Sequence, residues 1–491
     1  MIFFLLMMSC RDTENDTGEF VFPEADANPA LRGPGGPAVD FESPELWENC
    51  ATLPGGEEDV EHHNMVVPYR GHLVMPWAPE WGQGGLSFFD MSDPCDPIKV
   101  GEGFHERMRE THSMGFVHLS DGEHAGDYVA VNGMRGIQIW DITDETSPEM
   151  ISYLEMEDVF YPDAYSRVVL SVFWQYPWLY AAVSDNGIYV MNVEDPHEPE
   201  LVHTMTFSPE LRAGGVFVLG TLMLVTSAEG TESVLLDVST PDSPQLIAGG
   251  RFESVDAKGE SWEAYHGNIA GDLALYARKE GGSGVMVVDI SDPSQPTYMG
   301  DYHNPSGNGG YVFYDEGYAF VGESDFASVY DMRDPTNITM LGQGYLAGDL
   351  DTMTPYGNVA ILSVDDDAED EIASVVMPWT EGVDLTAPEV MRVVPEDGAV
   401  GVATTARIGI CFNEFIEPSS VFAGSIRVWD ASGQAVNGWG SGQENIASFA
   451  PRSPLQPGTT YTIEVMADGV MDINGNRVSQ MTSSTFTTAG Q

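Results

Sequence analysis

Residues 284–296 read GVMVVDISDPSQP and contain the pattern on which the fold prediction depends. A glycine opens the segment, apolar residues follow, Asp289 ends the apolar run, and Asp292-Pro293 introduces a turn. A short apolar run bounded by turn residues is typical of a buried strand, and Asp and Pro favour the tight turn that ends it. The segment therefore predicts a strand followed by a turn.

Five further segments repeat this pattern. They read GGLSFFDMSDP, RGIQIWDITDETSP, NGIYVMNVEDP, TESVLLDVSTPDSP and FASVYDMRDP. The Asp or Asn that ends each apolar run (the anchor) recurs every 42–52 residues, and a degenerate seventh unit, IASVVMP, places Met377 there. An upstream strand pair and a downstream strand accompany the pattern, which makes four strands, as in a propeller blade. The turn aspartates could suggest a calcium ring, but hydrogen bonding within each turn explains them better.

Residues 46–380 are therefore predicted to form a seven-bladed β-propeller. The seventh unit has no downstream strand, so we expect Leu46–Leu53 to complete the last blade and to remove exposed strand edges. Cys50 in that strand and Cys95 in the first turn are expected to form a disulfide in an oxidising exterior. Cys411 lies in an apolar strand and is predicted to be a buried core thiol.

Two resemblances support and extend this architecture. GIQIWDITD and GVMVVDISDPSQP resemble the LVIVD-repeat family of bacterial surface and secreted proteins, which are regarded as propeller-like. TAPEVMRVVPEDGAVGVATTARIGICFNEFIEPSSV, from Thr386, and TTYTIEVMADGVMDINGNRVSQMTSSTFTT resemble Ig-like domains of bacterial surface-layer proteins. The resemblance implies an all-β chain with an Ig-like β-sandwich over residues 386–489, a module that acts as a spacer or a second contact surface.

The N-terminus indicates export. Residues 1–10, MIFFLLMMSC, are an apolar run that is too short to span a bilayer and ends at Cys10. This run resembles a lipoprotein signal peptide, although no Lys or Arg precedes it, and the resemblance implies that Cys10 is lipidated. A mis-started or uncleaved N-terminus is the alternative. Residues 11–45 are predicted to be a flexible acidic tether, and we expect a lipid anchor at the outer membrane or cell surface.

The charge excludes two classes of partner. The chain has 19 Lys and Arg residues against 77 Asp and Glu residues, with a net charge of −58 at pH 7. Such a surface repels nucleic acid and anionic lipid, so we expect no nucleic acid and no membrane contact beyond the lipid anchor.

Polar residues at the start of the inner strands predict a ring around the channel. Counting back from the anchors gives His63, His112, Tyr165, Arg212, His266, Asn308 and Asp351. A propeller arranges equivalent positions around its axis, so these side chains could bind a polar ligand or a transition metal. The alternative is that they are ordinary polar residues at strand ends.

Two acidic segments offer oxygen ligands for calcium, which is the cofactor that the sequence indicates. Asp365, Asp366 and Asp367 lie in a dense anionic loop and are weak candidates for calcium ligands. Because the loop lacks the EF-hand spacing, a solvated loop without an ion is favoured. Asp472, Asn474 and Asn476 alternate like the start of a calcium loop, but the Ig-like resemblance explains them as a turn.

The hypothesis for function is a non-catalytic binding or adhesion scaffold at the cell surface. Its partner would be an extracellular polysaccharide, a surface protein or a cation-bridged ligand. The alternative is a secreted propeller hydrolase or lyase acting at the channel mouth, and a third is a purely structural envelope protein. The sequence has no Gly-Lys-Ser phosphate loop, no HExxH and no Gly-x-Ser-x-Gly motif, and no catalytic residue is assigned.

Overall fold

The computed structural model describes residues 20–22, 45–53, 65–79, 82–156, 158–159, 166–365, 367–369 and 372–490. Within these ranges the regular structure is β-strand, apart from one short 3₁₀ helix at Pro418–Ser420. None of the helical structure described there has the length and apolarity needed to cross a membrane.

In the described ranges seven antiparallel units of four strands, the blades, follow one another along the chain; six are separate sheets, and blade 2 continues through Phe116 and Gly442 into a sheet of the C-terminal domain. Blade 1 consists of Val67–Tyr69, His72–Trp77, Gly84–Asp90 and Ile98–His105. Blade 2 consists of Met114–Leu119, Gly126–Asn132, Gly136–Asp141 and Glu149–Glu155. Blade 3 consists of Ser171–Gln175, Trp178–Ala182, Ile188–Asn192 and Glu200–Met205. Blade 4 consists of Ala213–Leu219, Leu222–Ser227, Glu232–Asp237 and Gln245–Glu253. Blade 5 consists of Ala264–Ala270, Leu273–Arg278, Ser283–Asp289 and Thr297–Asn304. Blade 6 consists of Val312–Asp315, Tyr318–Gly322, Ala327–Asp331 and Thr339–Gly344. Blade 7 consists of Thr352–Tyr356, Val359–Ser363, Ser374–Pro378 and Ala51–Leu53.

The anchors of the repeat end the third strand of blades 1 to 6 and set the turn that follows. Asp289 Oδ1 accepts the N–H of Ser291 at 2.8 Å, and Asp292 Oδ1 accepts the N–H of Ser294 at 3.0 Å. Equivalent bonds occur in blades 1, 2, 3 and 6. The repeated aspartates therefore stabilise turns by accepting backbone N–H groups.

The N-terminal strand closes the ring. Ala51–Leu53 pairs antiparallel with Ser374–Pro378 and becomes the outer strand of blade 7. The strand is shorter than the predicted Leu46–Leu53, but the N–H of Trp47 still donates to the carbonyl of Pro378 at 2.8 Å. The edge of blade 7 is therefore paired.

A disulfide between Cys50 and Cys95 ties this closing strand to blade 1, and it joins residues 45 positions apart. We expect the C50S/C95S variant to lose about 2–4 kcal/mol of unfolding free energy, because the bond restricts the unfolded chain and locks the ring. Urea denaturation measures the loss. A reductant should destabilise the wild type equally and leave the double variant unchanged, whereas equal stability of variant and wild type would contradict the role of the bond.

The Ig-like domain consists of two packed sheets. One sheet has the order Val390–Val394, Ile408–Phe412, Ile446–Pro451 and Gly438–Gln443, and the other has the order Ala399–Val402, Thr482–Thr488, Thr460–Val465 and Ile426–Asp430. Cys411 is fully buried, but it faces the propeller, where its Sγ accepts the N–H of Gly271 at 3.1 Å. The thiol therefore belongs to the contact between the domains rather than to the sandwich core.

The Ig-like domain closes one end of the propeller channel. Phe415 packs edge-on against Phe313 of blade 6 with 5.6 Å between ring centroids, and its N–H donates to Asp315 at 3.0 Å. The amide of Gln443 donates to the carbonyl of Val172 on the inner strand of blade 3 at 3.0 Å. The domain is thus inserted into the propeller and does not act as a detached spacer.

Removal of the inserted aromatic ring tests this arrangement. Phe415 is 1% exposed, so we expect F415A to cost about 3–5 kcal/mol and to separate the melting of the two domains in calorimetry. The matched control is F104A, because Phe104 is 49% exposed in blade 1 and its loss should change little. A melting profile of F415A that matches that of F104A would rule out the insertion as a source of stability.

Candidate functional site

The opposite end of the channel, where the inner strands begin, collects carboxylates. Asp349, Asp351 and Asp365, which we call the mouth carboxylates, each offer one oxygen, and these oxygens lie within 4.8 Å of one another. The carbonyl of Asp349 accepts the N–H of Asp351 at 3.0 Å and that of Asp365 at 2.9 Å, which holds the two segments together. Asp349 is exposed and Asp351 is buried, so the group extends from solvent into the mouth.

Blade 6 approaches these carboxylates closely because two glycines face them. A Cβ at Gly310 would lie 2.7 Å from Oδ1 of Asp351, and one at Gly322 would lie 1.9 Å from its carbonyl oxygen. Both distances are far below van der Waals contact, so any side chain here would displace Asp351.

His112 lies beside the mouth carboxylates with a neighbour at each ring nitrogen. Its Nε2 is 2.9 Å from Glu110 Oε1, and its Nδ1 is 3.3 Å from the hydroxyl of Tyr265. The amide oxygen of Asn132, which is fully buried, accepts the N–H of His112 at 3.0 Å. This bond positions the start of the inner strand of blade 2, and the charge of His112 lowers the pKa of Asp351.

Two buried polar side chains at this mouth have an atom without a hydrogen-bond partner among the described residues. They are Tyr311, through its hydroxyl, and His266, through Nδ1. The two rings pack with centroids 4.7 Å apart, and burial lowers the pKa of His266 to about 3, so its imidazole is neutral. Burial, and also the charges of Asp365 and Asp351, raise the pKa of Tyr311. Because an unsatisfied buried polar group costs about 1–3 kcal/mol, a ligand that bonds these atoms gains affinity.

Burial controls the charge of the mouth carboxylates. Burial and the neighbouring Asp349 raise the pKa of Asp351 to about 7, against the opposing effect of Lys279. Burial and the carboxylate of Glu110, which hydrogen-bonds Asp365, raise the pKa of Asp365 well above its usual range. The cluster therefore holds protons near neutral pH, and a bound cation would compete with those protons.

The structure brings His112, His266 and Asp351 of the predicted ring to one mouth. The other described members have local partners: Arg212 pairs with Glu229 at 3.1 Å, and Asn308 accepts the N–H of Glu280 at 3.0 Å. His63 and Tyr165 lie outside the described residues, as do Cys10 and Asp366. Of the remaining metal candidates, Asp365 joins the mouth carboxylates, whereas Asp367 is exposed and belongs to none of the carboxylate and histidine groups found in the described ranges.

Four residues of the site were missed by the sequence analysis. They are Glu110, Tyr265, Tyr311 and Asp349. Glu110 and Asp349 each stand two positions before a predicted ring member, on the same side of an extended segment, so the alternation of side chains along a strand was a usable signal.

Family models match both parts of the chain. An LVIVD repeat matches residues 280–304, and a bacterial Ig-like domain matches residues 384–488, two residues earlier at its start than predicted. The chain therefore carries an LVIVD repeat within its propeller and a bacterial Ig-like domain after it. These two modules indicate a surface or exported protein. No curated protein sequence matches the chain.

Three solved structures that resemble this chain have propeller-type folds. The periplasmic gluconolactonase of Pseudomonas aeruginosa is 12% identical with a TM-score of 0.48, and covers 58% of this chain and 85% of its own. BamB from Moraxella catarrhalis is 10% identical with a TM-score of 0.42, at 67% and 97% coverage. The WD40 domain of Toxoplasma gondii coronin is 12% identical with a TM-score of 0.45, at 70% and 87% coverage. These likenesses concern the fold alone.

The raised pKa of Asp351 makes the stability of the protein depend on pH. The pKa of Asp351 is about 7 in the folded protein against 3.8 for a free aspartate. The contribution of the protonated Asp351 to the free energy of unfolding is therefore fully present below about pH 3.8 and is lost as the pH rises through 7. In EDTA, D351N should therefore become more stable relative to the wild type as the pH rises from about 4 to about 8. Urea denaturation at each pH measures this, and a constant difference would contradict it. D367N, which changes an exposed acid in the loop between the second and third strands of blade 7, is the control.

Proposed function

We propose that this chain is an exported surface protein that binds a polar extracellular ligand through a divalent cation at the propeller mouth, without catalysing its conversion. The observation that carries the proposal is the convergence of the mouth carboxylates, whose three oxygens lie within 4.8 Å of one another. Since the Ig-like domain fills the other end of the channel, the mouth is the end from which a ligand has access.

Oxygen donors favour a hard cation. Ca²⁺ takes six to eight oxygen ligands, and three carboxylates leave positions that hydroxyl or carboxylate groups of a ligand can fill. Asp349 is exposed, so an ion held there meets solvent on one side. The neighbouring His112 would also suit Mn²⁺.

The charge of the protein favours a bridged ligand. With a net charge of −58, the surface repels acidic polysaccharides unless a cation joins the two. Tyr265, which is only partly buried, provides aromatic surface at the mouth against which a sugar can pack, and the buried Tyr311 packs edge-on against it with ring centroids 5.7 Å apart. An extracellular polysaccharide therefore fits the site best.

One observation favours the alternative, a hydrolase or lyase. Burial raises the pKa of Asp351 to about 7, and a carboxyl group that exchanges a proton near neutral pH can act as a general acid or base. An enzyme of this kind would release shortened or unsaturated products from the polysaccharide.

Binding of the purified protein to immobilised acidic and neutral polysaccharides tests the proposal. In CaCl₂ we expect retention on acidic polysaccharides, loss of retention in EDTA, and affinity at least about tenfold weaker for D349N/D351N. The control D367N should bind like the wild type. Equal retention of D349N/D351N and wild type would sink the cation-bridged site, and release of products that stops in D351N would establish the enzymatic alternative.

A further inference from the structure

A second carboxylate group lies where the propeller meets the Ig-like domain. Asp384 belongs to the segment that connects the domains, and Glu414 and Asp472 belong to loops of the Ig-like domain. One oxygen from each lies within 4.8 Å of the other two. We call these three residues the seam carboxylates. Asp315, at the end of the inner strand of blade 6, faces them and contributes to raising the pKa of Glu414.

The seam carboxylates are buried more deeply than the mouth carboxylates. Glu414 is 3% exposed and Asp472 is 1% exposed. Oε1 of Glu414 is buried and has no hydrogen-bond partner among the described residues. An isolated buried carboxylate is strongly unfavourable, so this oxygen requires either a proton or a cation.

The electrostatics agree with the geometry. Burial, and then the charge of Asp315, raise the pKa of Glu414 to about 11. Burial raises the pKa of Asp472 to about 7, with Asp384 adding to the effect.

Asp472 is held in place by its own loop. Its Oδ1 accepts the N–H groups of Asn474 and Asn476, both at 2.8 Å, and its Oδ2 accepts the side-chain amide of Asn476 at 2.8 Å. That amide also donates to the carbonyl of Asp384 at 3.2 Å, which joins the connecting segment to the loop. The donors are thus positioned before any ion binds.

We propose that Asp384, Glu414 and Asp472 bind one Ca²⁺ that fastens the connecting segment to the loops of the Ig-like domain that contact the propeller. Oxygens bound to one Ca²⁺ at 2.3–2.6 Å are at most about 5 Å apart, and the seam oxygens lie within that span, whereas Mg²⁺ demands near-ideal octahedral geometry and loses its water reluctantly. The donors are all carboxylates, which suits Ca²⁺ and disfavours zinc or copper. The site is separate from the mouth and does not depend on the function proposed there.

A cavity of about 400 Å³ lies against the site and is lined in part by Asp315, Trp379 and Asp384. It gives an ion access from solvent through Asp384, which is only partly buried. The indole of Trp379, on the wall of the same cavity, provides a reporter close to the ion.

The test uses the full chain with D349N/D351N, so that the mouth cannot contribute. We expect CaCl₂ to raise Tm by about 3 °C or more over EDTA, and E414Q in this background to lose the rise. In EDTA, E414Q should melt no lower than its parent, because the amide removes an unpartnered buried carboxyl group. A rise that survives E414Q, or a parent without any rise, would overturn the proposal.

Two controls make the result specific. Glu417, three residues further along, is equally buried, but its oxygens accept the N–H groups of Ser419 at 3.0 Å and Arg70 at 2.6 Å. E417Q should therefore keep the CaCl₂-dependent rise. An equal rise in MgCl₂ would contradict the assignment to Ca²⁺.

A spectroscopic measurement covers the case in which E414Q does not fold. TbCl₃ accepts the same oxygen ligands, and its emission, excited through tryptophan in the D349N/D351N protein, should fall on addition of CaCl₂ and be largely lost in W379F. Emission that W379F leaves unchanged would place the ion elsewhere and refute the site.

Discussion

The ladder between Ala51–Leu53 and Ser374–Pro378 joins the two ends of the propeller and makes it a ring. Only in a closed ring do the starts of the inner strands face one another across a common axis. His112 of blade 2, His266 of blade 5 and Asp351 before blade 7 meet for this reason. The disulfide from Cys50 secures the closing strand, which has only three ladder residues and would otherwise fray easily.

Buried carboxylates recur at both ends of the channel. Asp351 at the mouth and Glu414 at the seam are both nearly inaccessible to solvent, and burial dominates the raised pKa of each. A protein with so few basic residues cannot neutralise these acids with internal ion pairs alone. Protonation removes the charge of these acids, so the pH acts directly on the stability of the fold.

Insertion of the Ig-like domain changes what the propeller can do. Phe415 and the hairpin that carries Gln443 occupy the channel from one side, so among the described residues the propeller does not form a through-channel. The floor beneath the mouth is aromatic, since Phe313 contacts both Phe415 and His266. A propeller fold by itself specifies no ligand, and the chemistry resides in the few side chains that this closed end supports.

The sequence by itself determined the features that depend on local patterns. The repeat, the turn aspartates such as Asp289 and the closing strand all follow from residue type and spacing, and three ring members follow from the equivalence of the blades. Other residues of the mouth were not predictable, because blade spacing varies and a register shift between Ala264 and Gly267 redirects side chains next to His266. Only the tertiary structure decided that Asp384, Glu414 and Asp472 meet, because folding of the Ig-like domain against its connecting segment brings together residues that no short-range pattern relates.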